Sequence, residues 1–251
     1  LPYHDGREGM SVRRTWLRGA TAVLTLLVAT LLWTSVVFAE PVKNGTESKP
    51  STSKAGTPAM SEQERSERLK QLELASERLY EHMQQGSGQE ALADMEALIQ
   101  ALEGVSFKGL TSVEGIHALA ETIMDTKETL VRADAQPEAW ALSSARLRLA
   151  VNSLLHPDKA LWQQYYKVMS DDLQQMKQAR AGGKPAGLRK AFQALQDHYD
   201  VVRPAAVIRR PASEINRFES WLSYTEGLSG AQSWDEKALK GAIEQGEGEL
   251  K

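Results

Sequence analysis

No cysteine occurs anywhere in the 251 residues. That single absence excludes a disulfide framework, thiolate metal sites and a thiol nucleophile. Basic excess is lacking as well. The formal net charge is −3, so no positive field draws nucleic acid, and no nucleic-acid partner is expected. Aromatic residues are scarce, at 6%, which suits a helical protein with an aliphatic core. Period-two alternation, the mark of a half-buried strand, is missing throughout. A His-Glu-x-x-His metal motif is missing too. Gly182-Gly183-Lys184 lacks the preceding strand and the spacing of a phosphate-binding loop, and reads as a hairpin turn. What is present is a composition of 41% hydrophobic and 25% charged residues, that of a folded rather than a disordered chain. The length allows one sizeable domain with extras, or two small ones.

Arg13, Arg14 and Arg18 precede a charge-free apolar run from Ala20 to Phe38. The run ends in Val37-Phe38-Ala39, with small residues where a signal peptidase would cut. It is also long enough to cross a bilayer. Residues 10–39 therefore read as a signal peptide or an uncleaved signal anchor, and both stay open. In either case the arginines stay inside and the remainder is exported, to the outer face of the cytoplasmic membrane. Arg13-Arg14-Thr15-Trp16-Leu17-Arg18 approximates a twin-arginine motif, but the apolarity of the run fits the general secretory route better. Residues 1–9 make no sense as a signal n-region. They are expected to be a non-native upstream extension, with translation beginning at Met10. Residues 40–60 hold Pro41, Pro50 and Pro58 without apolar periodicity, the pattern of a flexible polar linker.

From Ser61 onward, apolar residues recur at spacings of three and four. Ser61-Glu62-Gln63-Glu64 is a capping box, and Thr111 to Glu114 and Ser233 to Glu236 repeat that start signal. The predicted core-facing stripes are Leu69, Leu72, Leu79, Met83; Leu92, Met95, Ile99, Leu102; and Val113, Ile116, Ala120, Ile123, Leu130. They continue with Trp140, Leu147, Val151, Leu154; Leu188, Phe192, Leu195, Tyr199, Val202; and Ile215, Phe218, Leu222. Breaks are expected at Gly86-Ser87-Gly88, between Gly104 and Gly109, at Ala181-Gly182-Gly183 and at Arg203-Pro204. Short links of this kind make antiparallel helical hairpins. The expected class is all-α: stacked antiparallel hairpins, a helical bundle, following the hydrophobic export segment. The domain is expected over residues 61–227, with 228–251 a partial helical tail. A tetratricopeptide-like array is the neighbouring arrangement, but its full repeat signature is absent.

His156-Pro157-Asp158-Lys159 spells the loop of a J-domain co-chaperone. Proline is welcome in a first helical turn and Asp158 suits a positive helix end. The stretch is therefore expected to be a helix start, leading into a stripe of Trp162, Tyr166, Met169, Leu173 and Met176 widened by Leu161, Tyr165 and Val168. A co-chaperone role is not adopted. Trp162 and Phe192 are expected in the core.

Leu161-Trp162, Met169, Met176-Lys177-Gln178-Ala179, the glycine break, Phe192, Tyr199, Arg203-Pro204 and the segment Pro211 to Trp221 carry a resemblance. On these residues the chain resembles the sporulation protein YpjB family of endospore-forming bacteria. The resemblance is strongest over residues 160–227, with the helices from Ser61 to Leu155 agreeing in pattern. It implies an exported, membrane-associated helical protein expressed for sporulation, and it brings no catalytic residues. Members of that family usually end in a second transmembrane helix. This sequence stops at Gly248-Glu249-Leu250-Lys251, so the tail is expected to be truncated before such an anchor or to have lost it.

Glu114, His117 and Glu121 share one helix face and have the residue types of a divalent-metal site, but are read as surface neighbours. No metal and no cofactor is expected. Asp171-Asp172 and Asp197-His198-Tyr199 hold acid–base types, yet adjacent helical residues point apart, so no catalytic residue is assigned. Trp162, Tyr165 and Tyr166 form a candidate aromatic groove for a partner peptide. Arg203, Arg209, Arg210 and Arg217 gather near prolines and are candidates for an anionic wall polymer or lipid headgroups. The expected function is non-enzymatic: a sporulation role through an unknown protein partner outside the membrane. The rival is an extracytoplasmic hydrolase or cell-wall-polymer-binding domain whose carboxylates converge only in three dimensions.

Overall fold

The computed structural model describes residues 60–231 and 233–250. The expectations for residues 1–9, for the export segment 10–39 and for nearly all of the linker lie outside these residues. Among the described residues the regular elements are all helical. They are α1 Glu62–Gln85, α2 Gly88–Leu102, α3 Val113–Val131, α4 Pro137–Leu155, a 3-10 turn Leu161–Gln164, α5 Tyr165–Ala181, α6 Pro185–Arg209, α7 Ala212–Gly230 and α8 Glu236–Glu249. No described helix is long and apolar enough to cross a membrane.

Local chemistry sets the helix ends. Ser61 Oγ accepts the Glu64 N–H at 3.2 Å, as the capping box requires. Gly86 stops α1 in the left-handed conformation, φ 74°, which a residue with a Cβ rarely adopts. Its neighbour's N–H, from Ser87, reaches back to the His82 carbonyl at 2.8 Å. Gly183, φ 60°, does the same work between α5 and α6. These links produce four successive hairpins, α1/α2, α3/α4, α5/α6 and α7/α8, with each pair in contact.

Two apolar clusters hold the hairpins together. The first joins α1 to α4 through Leu72, Leu79, Met95, Leu98, Leu147 and Leu154, with Ile208 of α6 added. The second joins α5 to α8 through Leu173, Met176, Leu188, Phe192, Leu195, Leu239 and Ile243, with Leu149 of α4 added. Leu149 and Ile208 each reach into the opposite cluster, so α4 and α6 form the seam between them. Small residues let these two helices approach. Ala150, Ser153 and Ala205 are fully buried there, and Ser153 Oγ donates to the Ala205 carbonyl at 2.7 Å.

Several expectations need correction. His156-Pro157-Asp158 is not a helix start: His156 caps the end of α4, and Pro157 to Lys159 form a turn before the 3-10 segment. Proline stops a helix shortly after its C-terminus as readily as it opens one. The co-chaperone reading gains nothing from this, since α4 and α5 each pack on α6 rather than pairing as a hairpin. Trp162 is only half-buried, and Tyr166 and Val168 are exposed, while Phe192 is buried as expected.

No break falls at Arg203-Pro204. Helix α6 runs through Pro204 to Arg209. Two caps also shift: Ser112 rather than Thr111 caps α3, and Asp235 rather than Ser233 caps α8. The boundary at 227 does not hold either. Helix α8 buries Leu239 and Ile243 in the second cluster, and Trp221 Nε1 donates to the Ala242 carbonyl at 2.8 Å.

The stripe of α2 is turned by one residue, onto Ala91, Met95, Leu98 and Ala101, leaving Leu92 exposed. That of α3 is turned much further. Its buried face is Gly115, Ala118, Leu119, Thr122, Thr126, Thr129 and Leu130, whereas Val113 and Ala120 face water.

Candidate functional site

The threonine face of α3 lines a groove of about 380 Å³ between α3, α4 and α6. Its walls carry Glu121, Thr122, Asp125, Thr126 and Thr129 from α3, Ser143 and Arg146 from α4, and Asp200, Arg203 and Pro204 from α6. Threonine tolerates burial on a helix because its hydroxyl can donate to the carbonyl one turn back. Thr122 Oγ1 donates to Ala118 O at 2.6 Å and Thr126 Oγ1 to Thr122 O at 2.7 Å. Thr126 also lies 3.2 Å from Ser143 O, tying α3 to α4. Ser143 Oγ donates to Trp140 O at 3.3 Å. Each of these hydroxyls directs its proton to a backbone carbonyl.

Pro204 explains the position of Arg146. In an unbroken helix the Asp200 carbonyl would accept the N–H of residue 204, and proline has none. Arg146 Nε donates to that carbonyl instead, at 3.0 Å. The guanidinium thereby stands near the carboxyl groups of both Asp125 and Asp200. Burial pushes both carboxyls above the ordinary range. Asp125 is raised further by Glu121 and Glu128 while Arg146 opposes; for Asp200, Arg146 opposes and Asp197 reinforces. Arg203 Nε donates to Glu219 Oε1 at 2.6 Å, and the Tyr199 hydroxyl donates to the same oxygen at 3.1 Å. Burial disfavours the Arg203 charge, but the bond to Glu219 and its charge outweigh that and raise its pKa. Burial, then Glu219, pushes the Tyr199 phenol upward.

The sequence-derived candidates are dispersed. Arg203 pairs with Glu219. Arg209 donates to the Leu110 carbonyl at 3.1 Å, Arg210 pairs with Glu214 at 3.4 Å, and Arg217 with Glu249 at 2.6 Å. The four arginines therefore do not converge as a cradle for an anion. Arg210 does lie over the Trp162 ring, 5.9 Å from its centroid. Tyr165 is half-buried, and its phenol is pushed up by burial and then by Tyr80. Glu114, His117 and Glu121 stay exposed on α3, and no group of three or more potential metal ligands comes together among the described residues.

One pairing escaped the sequence reading. His198 Nδ1 of α6 lies 2.6 Å from Asp172 Oδ2 of α5, whose carboxylate is buried. Both residues belong to motifs weighed separately; only the α5/α6 hairpin joins them. The threonine row had a visible signal, the spacing 122, 126, 129 on one helix face. An apolar pattern passes over it, because threonine is not an apolar residue.

Over this fold, a family model described as Sporulation protein YpjB (SpoYpjB) matches residues 69–251. The chain belongs to that family. The match takes in α8, in keeping with its packing against α5 and α7. Comparison with curated proteins and with solved structures gave no match. Membership in the YpjB family supports a role in sporulation, and it adds no catalytic or ligand-binding assignment to the groove.

Proposed function

We propose that this protein serves sporulation as an exported, membrane-associated and non-enzymatic component that works by binding a protein partner outside the cytoplasmic membrane. Export rests on the arginines and apolar run before Ala39 and on the polar segment that follows. The observation that carries the non-enzymatic reading is the use made of the groove's reactive groups. Arg146 replaces a missing helix N–H, Arg203 is held by Glu219, and Thr122, Thr126 and Ser143 donate to backbone carbonyls. Their chemistry is structural.

The raised carboxyls of Asp125 and Asp200 favour a second reading, an extracytoplasmic hydrolase or wall-polymer binder, because such groups serve as general acids elsewhere. The two readings separate in one experiment. Crosslinking and pull-down of the full-length protein from sporulating cells should recover a defined membrane or coat-assembly partner. Asp125→Asn and Asp200→Asn should leave both capture and spore yield intact. Loss of spore yield with either variant, while the protein stays folded and partner capture is unchanged, would favour the hydrolase. Normal sporulation in a deletion strain would remove the proposed role.

A further inference from the structure

Helix α3 buries its three threonines beside Leu119 and Leu130 and leaves an apolar line toward water. Val113, Met124 and Val131 are 66%, 52% and 61% exposed, and Ala120 is exposed between them. At 100° per residue, positions 113, 120, 124 and 131 fall within about 20° of one line along the helix. His117 and Lys127 complete the series 113, 117, 120, 124, 127, 131, a four-three alternation over the whole helix, about 27 Å long. Such spacing lets one straight helix follow another. A surface helix that turns threonines inward and leaves valine and methionine in water is poorly explained by the stability of this domain alone.

Charge narrows the occupant. Glu114, Glu121 and Glu128 stand seven apart along one flank of the line, all exposed. Elsewhere on the surface Glu77 pairs with Arg148, Glu219 with Arg203 and Glu249 with Arg217. None of the three α3 glutamates has a basic group within ion-pair distance among the described residues. The other flank carries Ile116 and Ile123. A second copy is a poor fit. In an antiparallel pair each flank meets itself, so the glutamates would face glutamates; in a parallel pair they would face Ile116 and Ile123. An anionic lipid surface is repelled by the same ladder.

We propose that the outer face of α3 is a docking strip for one amphipathic helix of a protein partner, an aliphatic seam flanked by lysine or arginine. This rests on the interaction reading above and assigns it a surface and a partner chemistry. Aliphatic contact along Val113, Ala120, Met124 and Val131 supplies the attraction. The Glu114, Glu121 and Glu128 ladder sets orientation and rejects acidic helices.

The test uses the full chain and two fluorescein-labelled helical peptides. Both have leucine on a four-three seam; one flank is lysine in the first and glutamate in the second. Fluorescence anisotropy should show saturable binding of the lysine peptide, at least tenfold tighter than the glutamate peptide and weakening with added salt. Met124→Glu should reduce that binding at least tenfold, while Leu74→Glu, at an exposed apolar position on α1, should leave it unchanged. The triple change Glu114→Lys, Glu121→Lys, Glu128→Lys should invert the preference between peptides. These are surface positions, so each variant is first required to match the wild-type helical spectrum and melting curve. Equal binding of both peptides, binding indifferent to Met124→Glu, or no inversion by the triple change would overturn the strip. So would a dimer in sedimentation velocity that Met124→Glu dissociates, since the occupant would then be a second copy. A partner crosslinked from cells equally by wild type and Met124→Glu would also overturn it, yet would leave the broader interaction reading standing.

Discussion

Replacing Arg146 by methionine keeps the aliphatic stem and removes the donor that serves the Asp200 carbonyl. A hydrogen bond from a charged donor contributes roughly 1.5–3 kcal/mol when water cannot replace it. Arg146 is only half-buried, so the loss should be about 1 kcal/mol. The decisive quantity is its coupling to Pro204. Alanine at 204 restores an N–H aimed at the same carbonyl and should stabilise α6, by up to about 3 kcal/mol for a proline removed from a helix interior. In that background Arg146→Met should cost less than about 0.5 kcal/mol, because the carbonyl keeps a partner. The four proteins form a double-mutant cycle read by urea unfolding with far-ultraviolet circular dichroism, with unchanged denaturant slopes as the control. An additive cycle would refute the reasoning. Arg146 would then be held by its charge neighbours Asp125 and Asp200 rather than by the proline-freed carbonyl.

Phe192→Ala should destabilise by about 3–5 kcal/mol, and Trp162→Ala clearly less, since Phe192 is buried and Trp162 half-exposed; chemical denaturation of both proteins checks the order. Gly246→Ala places a Cβ 2.3 Å from the Trp221 ring, so it should cost about 1–3 kcal/mol and alter tryptophan fluorescence. A silent Gly246→Ala would mean that α8 is not packed as described. Asp125→Asn should raise the melting temperature at neutral pH. A carboxyl whose pKa is raised by folding opposes folding while ionised. The gain should therefore shrink as pH falls through the raised folded value and vanish only below the ordinary carboxyl value of about 4, where folded and unfolded chains are both protonated. A melting-temperature gain constant from pH 7 to 4 would rule out the electrostatic cause.

Residue order alone was enough to establish what depends on near neighbours along the chain. The helical period, the Ser61 cap, the glycine stops at Gly86 and Gly183 and the buried stripe of α6 from Leu188 to Val202 all follow from contacts within a few residues. The all-α class and the hairpin order follow from those, and so does the family, since its marks are packing and turn residues. Tertiary structure decided the rest. Whether Pro157 opens a helix or ends one, and whether Pro204 breaks a helix or sits within it, depends on what satisfies the freed backbone groups; for Pro204 the donor is Arg146, on another helix. The face that α3 buries was likewise not its own to choose. Thr122 and Thr126 face inward because their hydroxyls meet carbonyls of α3 and α4, a solution that an apolar count cannot see. Asp172 and His198 meet only because two helices fold back on each other. Local periodicity says that a helix has faces; which face finds a neighbour is a property of the whole packed chain.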